Sequence, residues 1–358
     1  MIQSVYRNRI LRLKKRLSSE SFESVLISSK ANCRYLSGFT GSNGYLLITE
    51  KEDLLFTDFR YVEQAKKECL GFETVRIAEG YSALTSCVSD MKLGVIGFEP
   101  SHISFLEYQR LRSELPNKVK LLPIQGIVED IRAIKDQEEV VFIKEAVSLA
   151  DKVLQEAVPL VRPGVSENFI ANHIEGSLRD MGAEGLAFDT IVGTGVNAAL
   201  PHHRADETII KEGDPVVIDM GALYKGYRSD LTRTFCATTL GRNTSKFEEI
   251  YGIVLYAQLA AARAAKPGMM SAALDGIARA AIEKEGYGDN FGHGLGHGVG
   301  LEIHEKPMVV PASADTIEVG SVFTIEPGIY LPEWGGVRIE DIVLMKEGGP
   351  EVLTRSPK

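Results

Sequence analysis

Apolar residues recur at helical spacing from the start of the chain. Tyr6, Ile10, Leu13 and Leu17 form one stripe, with Arg7, Arg9, Arg12, Lys14, Lys15 and Arg16 around it. This pattern predicts a helix whose basic residues form a solvated face. Short apolar or β-branched runs follow at 24–28, 45–49, 54–57 and 93–98, with the length and composition of strands. Helical patterns lie between them at 60–68 and 103–115. Strands alternating with helices predict an α/β layer structure up to about residue 130. Gly38, Gly41 and Gly44 in the run LSGFTGSNG lack the Lys-Ser/Thr ending of a phosphate loop, so they predict a tight strand-to-strand connection. The charged stretch 129–139 marks a boundary. The expected domains are 1–130 and 134–358.

The second part echoes itself. Pro163-Gly164 closes one helical pattern (139–158) and opens another that runs to Gly182; Pro267-Gly268 does the same between 246–265 and Gly286. Glycine after a helix is a usual stop. Both landmarks repeat at an offset of 104 residues, and strand-like runs follow each. Two similar α+β halves are expected, related by a pseudo-twofold axis. Two copies do not make a solenoid.

Composition narrows the class. The 358 residues are 44% hydrophobic and 25% charged, with a net charge of −9. Such a chain can build a substantial core. It shows no basic footprint for nucleic acid and no polybasic patch for a membrane. It has no apolar run approaching the ~18 residues of a membrane span and no secretory h-region. Cys33, Cys69, Cys87 and Cys236 form no C-x-x-C pair, so free thiols and a cytoplasmic setting are expected.

Carboxylates then appear at matching points of the two halves. Asp219 closes the run VVID, and Asp230 opens the run DLTRTF. A hairpin turn centred on Tyr224-Lys225 would set the two acids opposite each other, roughly 5 Å apart. Glu326 closes VFTIE, and Glu340 lies in the return run GGVRIED. A hairpin centred near Glu333 would pair these two. Like charges so placed repel and call for a cation between them. Five of the seven histidines fall between 202 and 304, three of them (His293, His297, His304) in one glycine-rich run. His102 and His173 lack such company and read as structural. Four carboxylates with one imidazole suit two divalent metals, Mn²⁺ first, or Co²⁺, Zn²⁺ or Fe²⁺. Two such ions, about 3.5–4 Å apart, share a water, lower its pKa and clamp a hydrolytic transition state. No Ser–His–Asp or Cys–His arrangement competes.

The motifs ALPHH (199–203), VVIDMGA, RSDLTRT, HGLGHGVGLEIHE (293–305), TIEPGIY and GGVRIED resemble those of the creatinase/prolidase/aminopeptidase P metallopeptidases over nearly the whole chain. The resemblance implies an α+β pita-bread catalytic domain behind a smaller α/β domain of the creatinase N-terminal, ribonuclease H-like kind. It implies Asp219, Asp230, His297, Glu326 and Glu340 as metal ligands, with Asp230 and Glu340 bridging. A bridging hydroxide would attack the carbonyl before proline, and Glu326 would pass the proton. His202 and His304 would bind the scissile amide and stabilise the oxyanion, His293 would border the substrate pocket, and Arg338 would support the site. Substrates would be small peptides with proline second, and a homodimer is implied.

Two residues depart from the family's pattern. His203 stands where many relatives have glycine. Met308 stands where several prolidases have an arginine for the dipeptide carboxylate. The second departure favours an Xaa-Pro aminopeptidase acting on longer peptides, with an Xaa-Pro dipeptidase as the alternative. Methionine aminopeptidases share the five ligands but not an N-terminal domain of this kind, and creatinase works without metal. A binding protein on an inactive peptidase fold is the reading from another class, and such relatives have lost ligands that this chain keeps.

Overall fold

The computed structural model describes residues 2–78, 80–239, 241 and 243–358. The chain divides into two compact units, one reaching Arg132 and the other Ala133–Lys358.

The first unit is built on a six-stranded sheet. Its strands are β1 (Ser24–Ile27), β2 (Gly44–Thr49), β3 (Asp53–Thr57), β4 (Glu73–Arg76), β5 (Val95–Phe98) and β6 (Lys120–Pro123), in the order β4-β3-β2-β1-β5-β6. β1, β2 and β3 pair antiparallel, while β4, β5 and β6 join in parallel. The first helix, Ile2–Ser19, buries Ile10, Leu13 and Leu17 as its stripe predicts. Arg9 departs from the solvated face. It is buried, donates to Tyr35 O at 2.9 Å and lies 4.2 Å over the Tyr35 ring, a contact that suits a flat guanidinium.

The glycine run also differs from expectation. A helix, Lys30–Ser37, precedes it, with Ser29 as N-cap and Gly38 ending it in the left-handed region at φ 81°. Gly44 then opens β2. The segment connects a helix to a strand, because the Ser29 cap and the buried Cys33 and Leu36 stabilise a helical turn there.

The second unit contains the two halves. Helices Gln137–Ala157 and Glu167–Asp180 cover a sheet of Ile191–Thr194, Pro215–Met220 and Leu231–Cys236. Ala146, Val153, Ile170 and Ile174 pack there with Val216 and Ile218. Helices Ser245–Ala264 and Ser271–Lys284 likewise share a core with the strands Val322–Ile325 and Asp341–Lys346, through Ile250, Val254 and Leu274 against Phe323, Ile325 and Val343. All four residues of Val322–Ile325 are buried. Complete burial of one such side chain contributes roughly 1.5–3 kcal/mol, which explains unbroken apolar runs where a half-exposed strand would alternate.

The repeat extends to conformation. Gly164 and Gly268 have φ 91° and 79°, and Gly182 and Gly286 have φ 93° and 87°. Gly164 N donates to Ile210 O, and Gly268 N donates to Ile317 O. From this point the offset is 107, and it carries Gly213 (φ 84°) onto Gly320 (φ 92°) and Asp219 onto Glu326.

One register differs from the expected one. Thr232 pairs with Asp219, and Leu223 with Arg228, so Asp230 falls opposite Gly221. The turn is centred on Lys225-Gly226, at φ 50° and 79°. Glycine takes the positive φ of a tight hairpin turn without strain, which moves the turn one residue beyond Tyr224-Lys225. Moving the turn by one residue slides the pairing by two and preserves the face of every side chain. Asp219 and Asp230 are therefore diagonal neighbours on one face, not directly opposed. In the other half, Ile325 pairs with Asp341 and Gly328 with Arg338, the register of a hairpin centred on Glu333.

Candidate metal centre

Both hairpins contribute carboxylates to one cavity of about 520 Å³. Asp219, Asp230, His297 and Glu326 line it, with His202, His293 and His304 at its walls. Glu340 lies deeper, 1% exposed. His297 Nε2 is 3.1 Å from Glu326 Oε1 and 3.7 Å from Asp230 Oδ2. Ligand atoms of Asp230, His297 and Glu340 all lie within 4.8 Å of one another.

Backbone contacts orient the imidazole. His297 Nδ1 is 3.1 Å from Gly298 O, an atom that only accepts. Nδ1 thus carries a proton, and Nε2 is the nitrogen turned towards the carboxylates. It donates to Glu326 Oε1, and its lone pair is the one that would ligate a metal once that proton is displaced. The strand Gly296–Gly298 reaches this position because its glycines admit neighbouring backbone. A Cβ on Gly296 would meet Thr324 O at 2.2 Å, and one on Gly298 would meet Lys306 O at 2.2 Å.

Burial and mutual repulsion destabilise the ionised forms of these carboxylates, a penalty that a bound cation would relieve. Burial, then the facing Glu340, Asp219 and Glu326, push Asp230 well above the usual carboxylate range. Burial, then Glu326 and Asp219, do the same to Glu340. Burial also raises Asp219, although Arg338 opposes it. Glu326 goes the other way: burial pushes it up, but the hydrogen bond and charge of His297 outweigh that and hold it down at about 2. Asp219 Oδ1 and Glu340 Oε1 are buried without a hydrogen-bond partner. A buried carboxylate oxygen left without a donor is costly. Oxygen-rich donors with one imidazole fit a hard or borderline divalent ion.

Residues 142–347 match the metallopeptidase family M24, and residues 9–134 match the creatinase/prolidase N-terminal domain. The chain belongs to metallopeptidase family M24. It is 39% identical to the Xaa-Pro dipeptidase of Pyrococcus furiosus over 353 residues, covering 98% of this chain and 99% of the relative. Among solved structures, it is similar to an Xaa-Pro dipeptidase from Bacillus anthracis (TM-score 0.94, 39% identity, 99% and 98% of the two chains). It is also similar to an X-Pro aminopeptidase from Thermotoga maritima (TM-score 0.88, 39% identity, 97% and 98%).

In this M24 chain the remaining expected residues surround the carboxylates. Arg338 NH2 donates to Asp219 Oδ2 at 2.6 Å, leaving Oδ1 as the free oxygen. His293 does not face the carboxylates with a free nitrogen. Its Nδ1 donates to Gly294 O at 2.7 Å, and its Nε2 lies 2.9 Å from the Tyr330 hydroxyl. The His304 ring packs edge-on against His297, 4.2 Å between centroids. Partial desolvation, then the His297 charge, keep the solvent-exposed His304 below its ordinary pKa and favour the neutral ring.

Three supporting residues escaped the sequence reading. Thr232 Oγ1 donates to Glu340 Oε2 at 2.7 Å and accepts from Arg338 Nε at 3.1 Å. Thr324 Oγ1 donates to Glu326 Oε1 at 2.8 Å and accepts from His297 N at 3.1 Å. Tyr330 accepts from Arg338 NH1 at 2.9 Å. Thr232 lies two residues after Asp230 and Thr324 two residues before Glu326, so each shares a strand face with a candidate ligand, and that alternation was the available signal. Tyr330 carried none, since its role depends on contact with Arg338 across a hairpin.

A second group of possible ligands, Glu167, His203 and Asp206, is a brace. The fully buried Glu167 accepts from Thr194 N (2.7 Å), Asn197 Nδ2 (3.0 Å) and Asp206 N (3.2 Å), and His203 Nε2 lies 2.7 Å from it. Both carboxylate oxygens are occupied. His203 thereby pins the loop that carries His202, a task glycine could not perform.

Proposed function

We propose that this chain is an Xaa-Pro dipeptidase that uses two divalent ions, held by Asp219, Asp230, His297, Glu326 and Glu340. The observation that carries the reading is the convergence of these side chains, two of them with orphaned oxygens, at a cavity that Asp219, Asp230, His297 and Glu326 line and Glu340 underlies, and whose lining also includes the apolar Phe188, Ile191, Ile303, Met308 and Val310. That apolar wall suits a pyrrolidine ring. The names of the Pyrococcus and Bacillus relatives support the dipeptidase reading.

When bound, such ions lower the pKa of a shared water and polarise a carbonyl. The chain's own groups do the rest. Asp219 is held by Arg338, so its free oxygen keeps one direction. Glu326, ionised and hydrogen-bonded to Thr324, is the group that accepts a proton and returns it to the leaving imide nitrogen of proline. His202 and neutral His304 offer N–H donors to the scissile carbonyl and its developing negative charge, a stabilisation that can amount to several kcal/mol. Mn²⁺ is the first choice of ion, with Co²⁺, Zn²⁺ or Fe²⁺ as alternatives. The four free cysteines support a reducing, cytoplasmic setting; no described helix is long and apolar enough to cross a membrane. The working unit on this reading is a homodimer.

A second reading, Xaa-Pro aminopeptidase on longer peptides, is favoured by one observation. Among the described residues lining the cavity, Arg338 is the one lysine or arginine, and Asp219 and Tyr330 already occupy it. Met308 and Val310 offer no partner for a dipeptide's carboxylate. Steady-state kinetics with Mn²⁺ on Xaa-Pro, Xaa-Pro-Xaa and Xaa-Ala peptides separates the readings. The dipeptidase reading expects the highest kcat/KM on Xaa-Pro and none on Xaa-Ala. Higher values on Xaa-Pro-Xaa would transfer the conclusion to the aminopeptidase, and no metal-dependent turnover on either would end both.

A further inference from the structure

The segments that carry Thr232 and Glu340 on the face of the candidate metal centre turn their next residues, Arg233 and Asp341, to the opposite side. These two are 1% and 0% exposed and pair at 2.9 Å. The chemistry above uses neither. Asp341 Oδ1 also accepts from Thr354 Oγ1 at 2.6 Å. Asp341 Oδ2 accepts from Gln258 Nε2 at 2.8 Å and from Lys358 Nζ at 2.5 Å. Lys358 Nζ donates in turn to Gln258 Oε1 at 2.9 Å.

Arg233 connects this cluster to the candidate metal centre. Its NH1 donates to Glu340 O at 2.5 Å and to Thr232 O at 2.9 Å. Its remaining donors go to the segment 355–358: Nε to Pro357 O at 3.0 Å, and NH2 to Ser356 O at 2.7 Å. That segment is fixed at its other end. Asp151 accepts from Arg355 N at 2.9 Å, from Ser356 N at 2.8 Å and from Ser356 Oγ at 2.6 Å. Glu340 N meanwhile donates to Thr232 O at 3.1 Å. The main chain of Glu340 is therefore held on both sides, by Thr232 at its N–H and by Arg233 at its carbonyl. The direction of the Arg233 guanidinium depends on the carbonyls of 356 and 357 and on Asp341.

We propose that segment 355–358 is a positioning strap for Glu340: Lys358 and the carbonyls of Ser356 and Pro357 aim Arg233, and Arg233 holds the backbone of Glu340 so that its carboxylate keeps a ligating direction. This rests on the reading of Glu340 as a ligand. Groups that orient a metal ligand from behind typically alter metal affinity about 10–100-fold when removed. A strap that only stabilised the fold would shift the melting temperature and leave affinity unchanged.

The test is Mn²⁺ binding to chelator-stripped full-length protein, measured calorimetrically well below the melting temperature and without substrate. Lys358→Ala, at a side chain 21% exposed, and a chain lacking 356–358 are compared with Lys358→Arg and with Lys144→Ala. Lys144 pairs with Glu351 at 3.0 Å and does not touch Asp341, so it controls for the loss of one ion pair. The proposal expects Lys358→Ala to weaken Mn²⁺ binding about 10-fold, the shortened chain to weaken it further, Lys358→Arg to restore it, and Lys144→Ala to leave it unchanged. Wild-type affinity in Lys358→Ala overturns the strap even if the shortened chain fails to fold. A wild-type protein that binds no Mn²⁺ overturns the ligand set and the strap together.

Discussion

Thr232 and Glu340 grip each other twice: the Thr232 hydroxyl donates to Glu340 Oε2 at 2.7 Å, and Glu340 N donates to Thr232 O at 3.1 Å. The same hydroxyl accepts from Arg338 Nε, so one oxygen aligns a candidate ligand and the arginine that holds another. Thr232→Val keeps the shape and removes that oxygen. It leaves a buried carboxylate oxygen and a guanidinium N–H without a partner, at about 1–3 kcal/mol. The expected outcome is a lower melting temperature together with about a 10-fold fall in kcat/KM. Thermal melts and kinetics on an Xaa-Pro dipeptide check it, and unchanged kinetics would remove Thr232 from the supporting set.

Metal binding should release protons. Asp230 and Glu340 are pushed well above the usual carboxylate range, chiefly by burial, and a cation binds their ionised forms. Affinity should therefore climb as pH rises through those raised values and decline below them. Calorimetry in buffers of different ionisation enthalpy counts the protons. A count of zero near neutral pH, with pH-independent affinity, would contradict this account.

Tyr330 joins Arg338 to His293, with 2.9 Å on each side. Tyr330→Phe removes both hydrogen bonds without opening a cavity. The expected loss is about 1 kcal/mol of stability and a higher KM, because His293 loses its anchor at the pocket edge. A KM within error of wild type would show that His293 is held by Gly294 O alone.

Met308 lines the cavity and stands where, by the resemblance, several prolidases carry an arginine for the dipeptide carboxylate. Met308→Arg is expected to raise kcat/KM on Xaa-Pro relative to Xaa-Pro-Xaa by about 10-fold, the scale of one charge-assisted hydrogen bond. A ratio unchanged by the substitution would mean that the carboxylate is bound elsewhere.

Phe323, fully buried, packs in the core shared with Ile250, Val254 and Leu274. Phe323→Ala should cost about 3–5 kcal/mol. Denaturant unfolding measures it, and a cost under 1 kcal/mol would show that the helices do not depend on this strand.

Much of the architecture was legible because it rests on local rules. The helical stripe at Ile10, Leu13 and Leu17, the unbroken run Val322–Ile325 and the glycines repeating at 164 and 268 are short-range signals of helix, buried strand and turn. The helix at Lys30–Ser37 was missed because a Ser cap and two buried residues make a weaker signal than a glycine run.

Strand alternation alone put Asp219 with Asp230, and Glu326 with Glu340, on shared faces, since parity survives a two-residue slide of register. Which residue stands opposite Asp219 was decided by the folded hairpin, where Gly226 takes the positive φ and moves the turn. The grip of Arg338 on Asp219 spans 119 residues, and that of Arg233 on Pro357 spans 124. Contacts of that range follow from how separate sheets pack, and periodicity along a chain holds no record of which side chains meet across that distance.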